Sequence, residues 1–168
     1  MTPARILPLA LAAALALPTG AGARPGDIWQ IETDDATTVL HYGVPPSRGE
    51  QDMPGLLCER GHGYSMILFA PSARYPTRET PAGRVDAHGR AEPWPVTLTV
   101  NGQAYTAEAT FEDDDEVIQV TAHLPAAAPP LVAFQRTGQL RLSALGVTAA
   151  LPPAPRNLRV RFFGSCRR

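Results

Sequence analysis

Residues 96–124 read VTLTVNGQAYTAEATFEDDDEVIQVTAHL, and this stretch decides the expected fold. Apolar and polar side chains alternate along residues 96–100, which is typical of a strand with one buried face. The dipeptide Asn101-Gly102 follows, and it favours a two-residue hairpin turn because both positions accept a positive φ. The acidic run 112–116 separates two further alternating segments. The stretch therefore predicts a three-stranded antiparallel meander.

The same alternation, punctuated by glycine and proline, extends through most of the chain and predicts a mainly β protein. The predicted strands are 27–32, 37–42, 56–60, 64–69, 96–100, 103–112, 116–124, 139–144 and 147–151. We expect a mainly β fold with minor α content, either an antiparallel β-sandwich or an open barrel.

Two segments near the C-terminus indicate the minor helical content. Residues 129–136 begin with two prolines, which suit the first helical turn, and predict a short helix. Residues 156–166 alternate as a strand would, yet Leu158, Phe162 and Cys166 also recur at helical spacing. The pattern slightly favours a C-terminal helix.

The proline-rich segment 71–95 shows no clear periodicity. A structureless connection of this length is unusual inside a compact domain. We therefore consider a functional loop, a mobile flap, or a further strand near 83–87. A second proline-rich connection spans 44–55.

The first 23 residues have the composition of an export signal. Arg5 supplies the positive start, residues 6–17 are apolar but too short to span a bilayer, and Ala21-Gly22-Ala23 offers a cleavage pattern. We expect residues 24–168 to form a single β-rich domain in the periplasm or outside the cell. No later apolar run is long enough to predict a membrane span.

Export places the two cysteines, Cys58 and Cys166, in an oxidising compartment, where a disulfide between them is expected. Two free thiols in a metal or redox site are the alternative. Their spacing fits neither a C-x-x-C motif nor a zinc ribbon, and no cofactor is predicted.

Charge is divided unevenly along the chain. Residues 24–116 contain seven arginines and all sixteen acidic residues, whereas residues 117–168 contain seven arginines and no acid. The two parts could attract each other, or the basic part could face a polysaccharide, a lipid headgroup or an acidic protein surface. Arg159 and Arg161 are the candidate anion-binding residues, since guanidinium groups bind carboxylates and phosphates in a bidentate manner. Nucleic acid is disfavoured because no aromatic stacking platform accompanies them.

A catalytic interpretation rests on the segment around His62. His62 could act as a general base with Glu59 as its orienting carboxylate, and His41 is a second candidate base. No G-x-S-x-G motif accompanies them, so a solvated turn is the more typical interpretation. The histidines lack the short spacings of metal ligands, and no metal site is predicted.

Aromatic side chains supply the remaining contact candidates, Trp94 and Tyr75. Trp94 lies between two prolines at the end of the long segment, and we expect it to be exposed. Trp29 and Tyr105 lie in predicted strands and are expected in the core.

Several short motifs together resemble small periplasmic proteins of Gram-negative bacteria whose function is not known. They are the export signal, Leu40-His41-Tyr42-Gly43-Val44-Pro45, the strand bearing Cys58, and the terminal Phe162-Phe163-x-x-Cys166. The resemblance implies location and a β-rich fold with one disulfide.

Two functions follow as hypotheses. The first is a non-enzymatic periplasmic or secreted binding module, whose partner is an anionic envelope component or another periplasmic protein. The second is a small periplasmic hydrolase that uses a His/Glu pair. A metal or anion carrier is a third interpretation.

Overall fold

The computed structural model describes residues 28–43, 54–59, 61–112 and 117–166. Eleven strands and two α-helices lie within these residues. The strands are β1 (Ile28–Thr33), β2 (Thr37–Gly43), β3 (Gly55–Glu59), β4 (Gly63–Pro71), β5 (Thr77–Thr80), β6 (Gly83–Asp86), β7 (Trp94–Val100), β8 (Gln103–Glu112), β9 (Val117–Leu124), β10 (Leu140–Ala144) and β11 (Val147–Leu151). The helices are α1 (Pro129–Thr137) and α2 (Arg156–Ser165). The predicted export signal lies outside the described residues.

Nine of these strands form one antiparallel sheet that curls into a half-barrel. The strand order is β1-β2-β3-β4-β9-β8-β7-β10-β11. The mainly β prediction is confirmed, and the open-barrel alternative describes the sheet better than the sandwich. The two remaining strands, β5 and β6, pair with each other in a separate hairpin.

The predicted meander is confirmed as β7, β8 and β9. The turn between β7 and β8 is made by Asn101 and Gly102, whose φ angles are 48° and 86°. The register pairs Val100 with Gln103 directly across this turn. Local turn chemistry therefore determines this pairing, as the sequence indicated. Residues 113–116 of the acidic tip lie outside the described residues.

Both predicted helices are present. Helix α1 begins with Pro129 and Pro130, which lack the amide hydrogens that an α-helix leaves unpaired at its start. It ends at Gly138, which has φ 76° and whose N–H donates to the carbonyl of Phe134 at 2.7 Å. A Cβ at this glycine would lie 2.6 Å from the carbonyl oxygen of Ala154, so the position requires glycine.

The ambiguous segment near the C-terminus forms α2. Phe162 and Phe163 are buried against Tyr64 of β4, at ring-centroid distances of 5.9 and 5.5 Å. Because two adjacent phenylalanines on a strand would point to opposite faces, the helix buries more apolar surface than the strand alternative would.

The helices fill the concave face of the curled sheet. Trp29 of β1 contacts Phe134 of α1 at a centroid distance of 5.9 Å, and Phe134 contacts Phe163 of α2 at 6.3 Å. The indole N–H of Trp29 donates to the carbonyl of Pro152 at 2.7 Å. The first strand of the sheet therefore approaches the residue that directly follows the last strand. Trp29 is in the core, as predicted, while Tyr105 packs against the core from a partly buried position.

The Cys58–Cys166 disulfide is present, as expected. It joins β3 to the residue after α2, with a Cα–Cα distance of 6.0 Å and a sequence separation of 108 residues. The bond thus fixes the end of α2 against the sheet.

The segment 71–95 is ordered and has secondary structure of its own. A 3₁₀ turn at Ser72–Arg74 leads into the β5–β6 hairpin. The expected strand near 83–87 is confirmed as β6, and its partner β5 was not predicted. Trp94, at the end of this segment, has 0 % of its surface exposed. The expectation that Trp94 is exposed was therefore wrong, since its ring packs under the segment.

Of the 44–55 connection, residues 44–53 lie outside the described residues.

Replacing both disulfide cysteines should lower stability substantially. Closing a loop of this length is worth about 4–5 kcal/mol in the chain-entropy picture, and natural disulfides typically contribute about 2–5 kcal/mol. We expect Cys58→Ala/Cys166→Ala to lower the free energy of unfolding in urea by a few kcal/mol while its circular dichroism remains rich in strand. An unchanged unfolding midpoint would contradict the role assigned to the bond.

Candidate functional site

The three catalytic candidates from the sequence, His62, Glu59 and His41, do not come together in one site. His62 is exposed in the turn after β3, where its backbone N–H donates to the carbonyl of Glu59 at 3.1 Å. His41 is paired with Gly55, four positions along β3 from Glu59, which corresponds to about 13 Å. The fold therefore separates His41 from Glu59, and the contact described between His62 and Glu59 joins backbone atoms.

His41, the second candidate base, is buried. Its Nε2 lies 3.4 Å from Oε1 of Glu32 and has no hydrogen-bond partner among the described residues. Burial lowers the pKa of His41, and the attraction of Glu32 opposes this effect in part. Burial therefore favours the neutral form of the imidazole.

One serine–histidine pair is present that the sequence did not reveal. Ser65 Oγ lies 2.9 Å from His123 Nδ1, because the register of β4 and β9 places the two residues opposite each other. They are 58 residues apart in the chain, so no local motif could have signalled the pair.

The surroundings of the Ser65–His123 pair are unlike those of a nucleophilic serine. Ser65 lies in mid-strand, where neighbouring strands on both sides take up the backbone hydrogen bonds, and no carboxylate orients His123 among the described residues. Amides engaged in a sheet are not free to form an oxyanion hole.

The segment 71–95 is held by an ionic cluster. The buried carboxylate of Asp86 accepts the backbone N–H groups of His88 and Arg90, both at 2.9 Å. It also accepts Nε and Nη2 of Arg90 at 2.7 and 2.6 Å. Burial alone would raise the pKa of Asp86, but these hydrogen bonds overcome it and hold the pKa at about 2.

The two aromatic candidates belong to the same cluster. The indole N–H of Trp94 donates to the carbonyl of Arg90 at 2.7 Å, and its ring lies 5.3 Å from the ring of Tyr75. The Tyr75 hydroxyl donates to Asp86 Oδ2 at 3.4 Å, and burial and the nearby Asp86 raise the pKa of Tyr75. Both aromatic side chains therefore act in holding this segment on the sheet.

Arg159 is likewise a structural residue and not solvent-facing. Its Nε donates to the carbonyl of Ala154 at 3.0 Å, and its Nη1 donates to the carbonyls of Phe134 and Gln135. Phe134 and Gln135 lie in the last turns of α1, and Ala154 lies just before α2, so this one side chain joins the two helices. The guanidinium is buried, and its Nε and Nη1 groups are engaged in these contacts. Arg161, two positions later, is exposed.

The basic part of the chain is not neutralised by direct ion pairs among the described residues. The arginines between positions 117 and 166 have no carboxylate partner within 4.0 Å there. Four of them are exposed, namely Arg136, Arg141, Arg156 and Arg161. These four guanidinium groups are thus exposed and without a carboxylate partner among the described residues.

A cleft of about 520 Å³ lies beside the last strand of the sheet, between α1, the β7–β8 turn and β10–β11. Its lining is partly apolar and contains no acidic residue; the residues are Asn101, Ala133, Thr137, Gln139, Leu140, Arg141, Ala150, Leu151 and Pro153. An apolar wall with a few convergent polar groups is typical of a binding site.

The polar side chains of this cleft divide into two kinds. Asn101 is structural: its Oδ1 accepts the N–H of Arg141 at 2.9 Å, and its Nδ2 donates to the carbonyl of Gln139 at 3.2 Å. Thr137 donates to the carbonyl of Ala133 at 2.8 Å. The side chains of Gln139 and Arg141 have no partner among the described residues and are exposed. They are the groups that a ligand would meet.

A partial signal for this cleft was present in the sequence. Asn101-Gly102 predicted the hairpin, but nothing indicated that Asn101 would reach residues 139 and 141 of another hairpin. Arg141 belonged to the basic part of the chain, whereas Gln139 had no distinguishing pattern.

Comparison with other proteins does not add a function to this geometry. No protein-family model matches the chain, and searches of curated proteins and of solved structures find no match. Within the described part of the chain, no helix is long and apolar enough to cross a bilayer. The same residues contain no group of three or more acidic, histidine or cysteine side chains placed to hold a metal ion.

Replacing Arg159 should destabilise the protein, whereas replacing Arg161 should not. A lysine at 159 has one donor centre and cannot reach three carbonyls from one planar group. We expect Arg159→Lys to lower the free energy of unfolding by about 1–3 kcal/mol. Arg161→Gln is the matched control, with a change within about 0.5 kcal/mol. Equal effects of the two substitutions in urea denaturation would contradict the structural role of Arg159.

Removing the Asp86 carboxylate should change how stability depends on pH. Its pKa of about 2 in the folded protein lies below its ordinary value of 3.8, so the unfolded chain binds the proton more readily. The ionised Asp86 carboxylate therefore contributes its full stabilisation above about pH 4, and this contribution is lost as the pH falls towards 2.

We therefore expect Asp86→Asn to be less stable than the wild type at neutral pH, with a gap that narrows between about pH 4 and 2. Thermal unfolding of both proteins across this range measures the gap. Glu108→Gln, which removes an exposed carboxylate, is the control and should show a small difference throughout. A wild-type advantage over Asp86→Asn that stays constant down to pH 2 would contradict this account.

Proposed function

We propose that this protein is a non-enzymatic binding module of the periplasm or the extracellular space, and that it contacts an anionic partner through the cleft beside β11. The location is supported by the composition of residues 1–23 and by the Cys58–Cys166 bond, because disulfides persist in oxidising compartments.

One observation carries the binding role. The cleft combines an apolar wall with two unengaged polar side chains, Gln139 and Arg141, and no acidic residue lines it. Such a site favours a ligand that has a carboxylate or similar anion next to apolar groups.

A small hydrolase is the second candidate, and the Ser65–His123 contact favours it over other enzymes. That contact lacks an orienting acid, and the pair Glu59 and His62 is exposed to water. The arrangement of side chains therefore supports binding better than catalysis.

Photocrosslinking in intact cells tests the proposal. A photoreactive amino acid replaces Gln139 in the cleft, and in a matched protein it replaces Glu108, which is exposed on β8. The full 168-residue chain is expressed in a Gram-negative host. We expect one or a few defined adducts from position 139 and none of the same mass from position 108. Mass spectrometry of the crosslinked protein also reports whether residues 1–23 have been removed.

An activity screen provides the second arm of the test. The purified protein, His62→Ala and His123→Ala are incubated with chromogenic esters, peptides and glycosides. We expect no turnover that depends on either histidine. Turnover that one of these substitutions abolishes while the protein remains folded would establish the hydrolase instead. Identical adducts at positions 139 and 108 would remove the cleft from the proposal.

A further inference from the structure

The backbone of the last strand has an unused edge. Strand β11 pairs with β10 on one side, and among the described residues nothing pairs with its other side. Arg141 of β10 uses both its N–H and its C=O on Asn101, on the side away from β11. Arg141 and its partner Ala150 therefore form a non-hydrogen-bonded pair, and the N–H and C=O of Ala150 point outward.

The alternation of an antiparallel ladder extends this result to Thr148, two positions earlier. We name the outward N–H and C=O groups of Thr148 and Ala150 the open edge. No hydrogen bond within the described residues uses these four groups. The open edge directly borders the cleft, because Ala150 and Leu151 also line it.

Proteins usually protect such edges with a charge, a proline or a bulge. Strand β11 reads VTAAL and has none of these. The other edge strand of the sheet, β1, carries Glu32. Of the two edge strands, β11 is therefore the one without a protecting charge, and this favours the addition of a further strand to it.

Two arginines flank the open edge. Arg141 lies at one end, opposite Ala150, and Arg74 lies at the other, where its Nη1 is 3.8 Å from the position of a Cβ on Gly146. Both residues are exposed, and neither forms an ion pair with another described residue. A strand added at this edge would meet positive charge at both ends.

We propose that β11 binds an extended acidic polypeptide segment by strand addition, with its backbone on the open edge and its carboxylates near Arg74 and Arg141. This inference rests on the proposed binding function and specifies its partner. A second copy of the chain fits less well. Two β11 strands paired antiparallel would bring Arg74 of one copy towards Arg141 of the other, and like charges would meet at both ends.

A synthetic peptide tests the inference on the disulfide-bonded protein. The probe is a hexapeptide of alternating glutamate and valine with both termini blocked. One control peptide has lysine in place of glutamate, and a second has N-methylated amides along its hydrogen-bonding edge. Two-dimensional NMR follows the amide signals of Thr148 and Ala150 and yields the affinity of each peptide.

We expect the glutamate peptide to shift both signals and to bind at least tenfold more tightly than either control. Arg74→Gln and Arg141→Gln should each weaken binding severalfold, while Arg161→Gln, which removes an exposed arginine of α2, should leave the affinity unchanged. Ala150→Pro removes one outward N–H and should also weaken binding. The methylated peptide tests the same hydrogen bonds without altering the protein, so a folding defect in Ala150→Pro does not affect the result.

Equal affinity for the lysine or the methylated peptide would overturn the inference, as would shifts confined to other elements. Absence of shifts at Thr148 and Ala150 up to the solubility limit of the peptide would also overturn it. Concentration-dependent dimerisation that shifts the same two signals would assign the edge to a second copy. If the peptide fails while position 139 still gives a defined adduct in cells, the strand-addition inference is lost and the binding function stands. If both fail, both are lost.

Discussion

A continuous chain of aromatic contacts holds the helices inside the curled sheet, and the rest of the structure depends on it. It runs from Tyr42 to Trp29, then through Phe134 of α1 and Phe163 of α2 to Tyr64 of β4. Each side chain buries a large apolar area, and without the helices the concave face would be left in water. Through the indole N–H of Trp29, which donates to the carbonyl of Pro152, the same chain also reaches the residue after the last strand.

The disulfide and Arg159 reinforce the same packing by different physical means. Cys58–Cys166 restricts the unfolded chain and fixes the end of α2 on β3. Arg159 acts on the folded state, since it donates to carbonyl groups of α1 and of the residue Ala154, which precedes α2. Because these contacts hold α1 next to β10 and β11, the cleft beside the last strand is a consequence of how the helices are packed.

The segment 71–95 shows how a loop without periodicity becomes ordered. Asp86, Arg90, Tyr75 and Trp94 form one interlocked cluster of hydrogen bonds and ring contacts. Asp86 and Trp94 are buried, so the segment is part of the framework. The candidate binding groups are found elsewhere, where the side chains of Gln139 and Arg141 and the outward edge of β11 have no partner among the described residues.

Local information in the sequence was sufficient for most strands, the helix α1 and the disulfide pairing, whereas for α2 it only slightly favoured a helix over a strand. Alternation fixes which face of a strand is buried, Asn101-Gly102 fixes a turn, and two cysteines allow one intramolecular pairing. Local patterns did not predict which individual side chains are buried, or which residues distant in the chain are in contact. Trp94 and Arg159 looked exposed because prolines and neighbouring charges surround them in the chain, yet their partners are supplied by the fold. The Ser65–His123 contact, the cleft and the open edge of β11 depend on strand register and sheet order, which combine residues far apart in sequence and therefore exist in the tertiary structure alone.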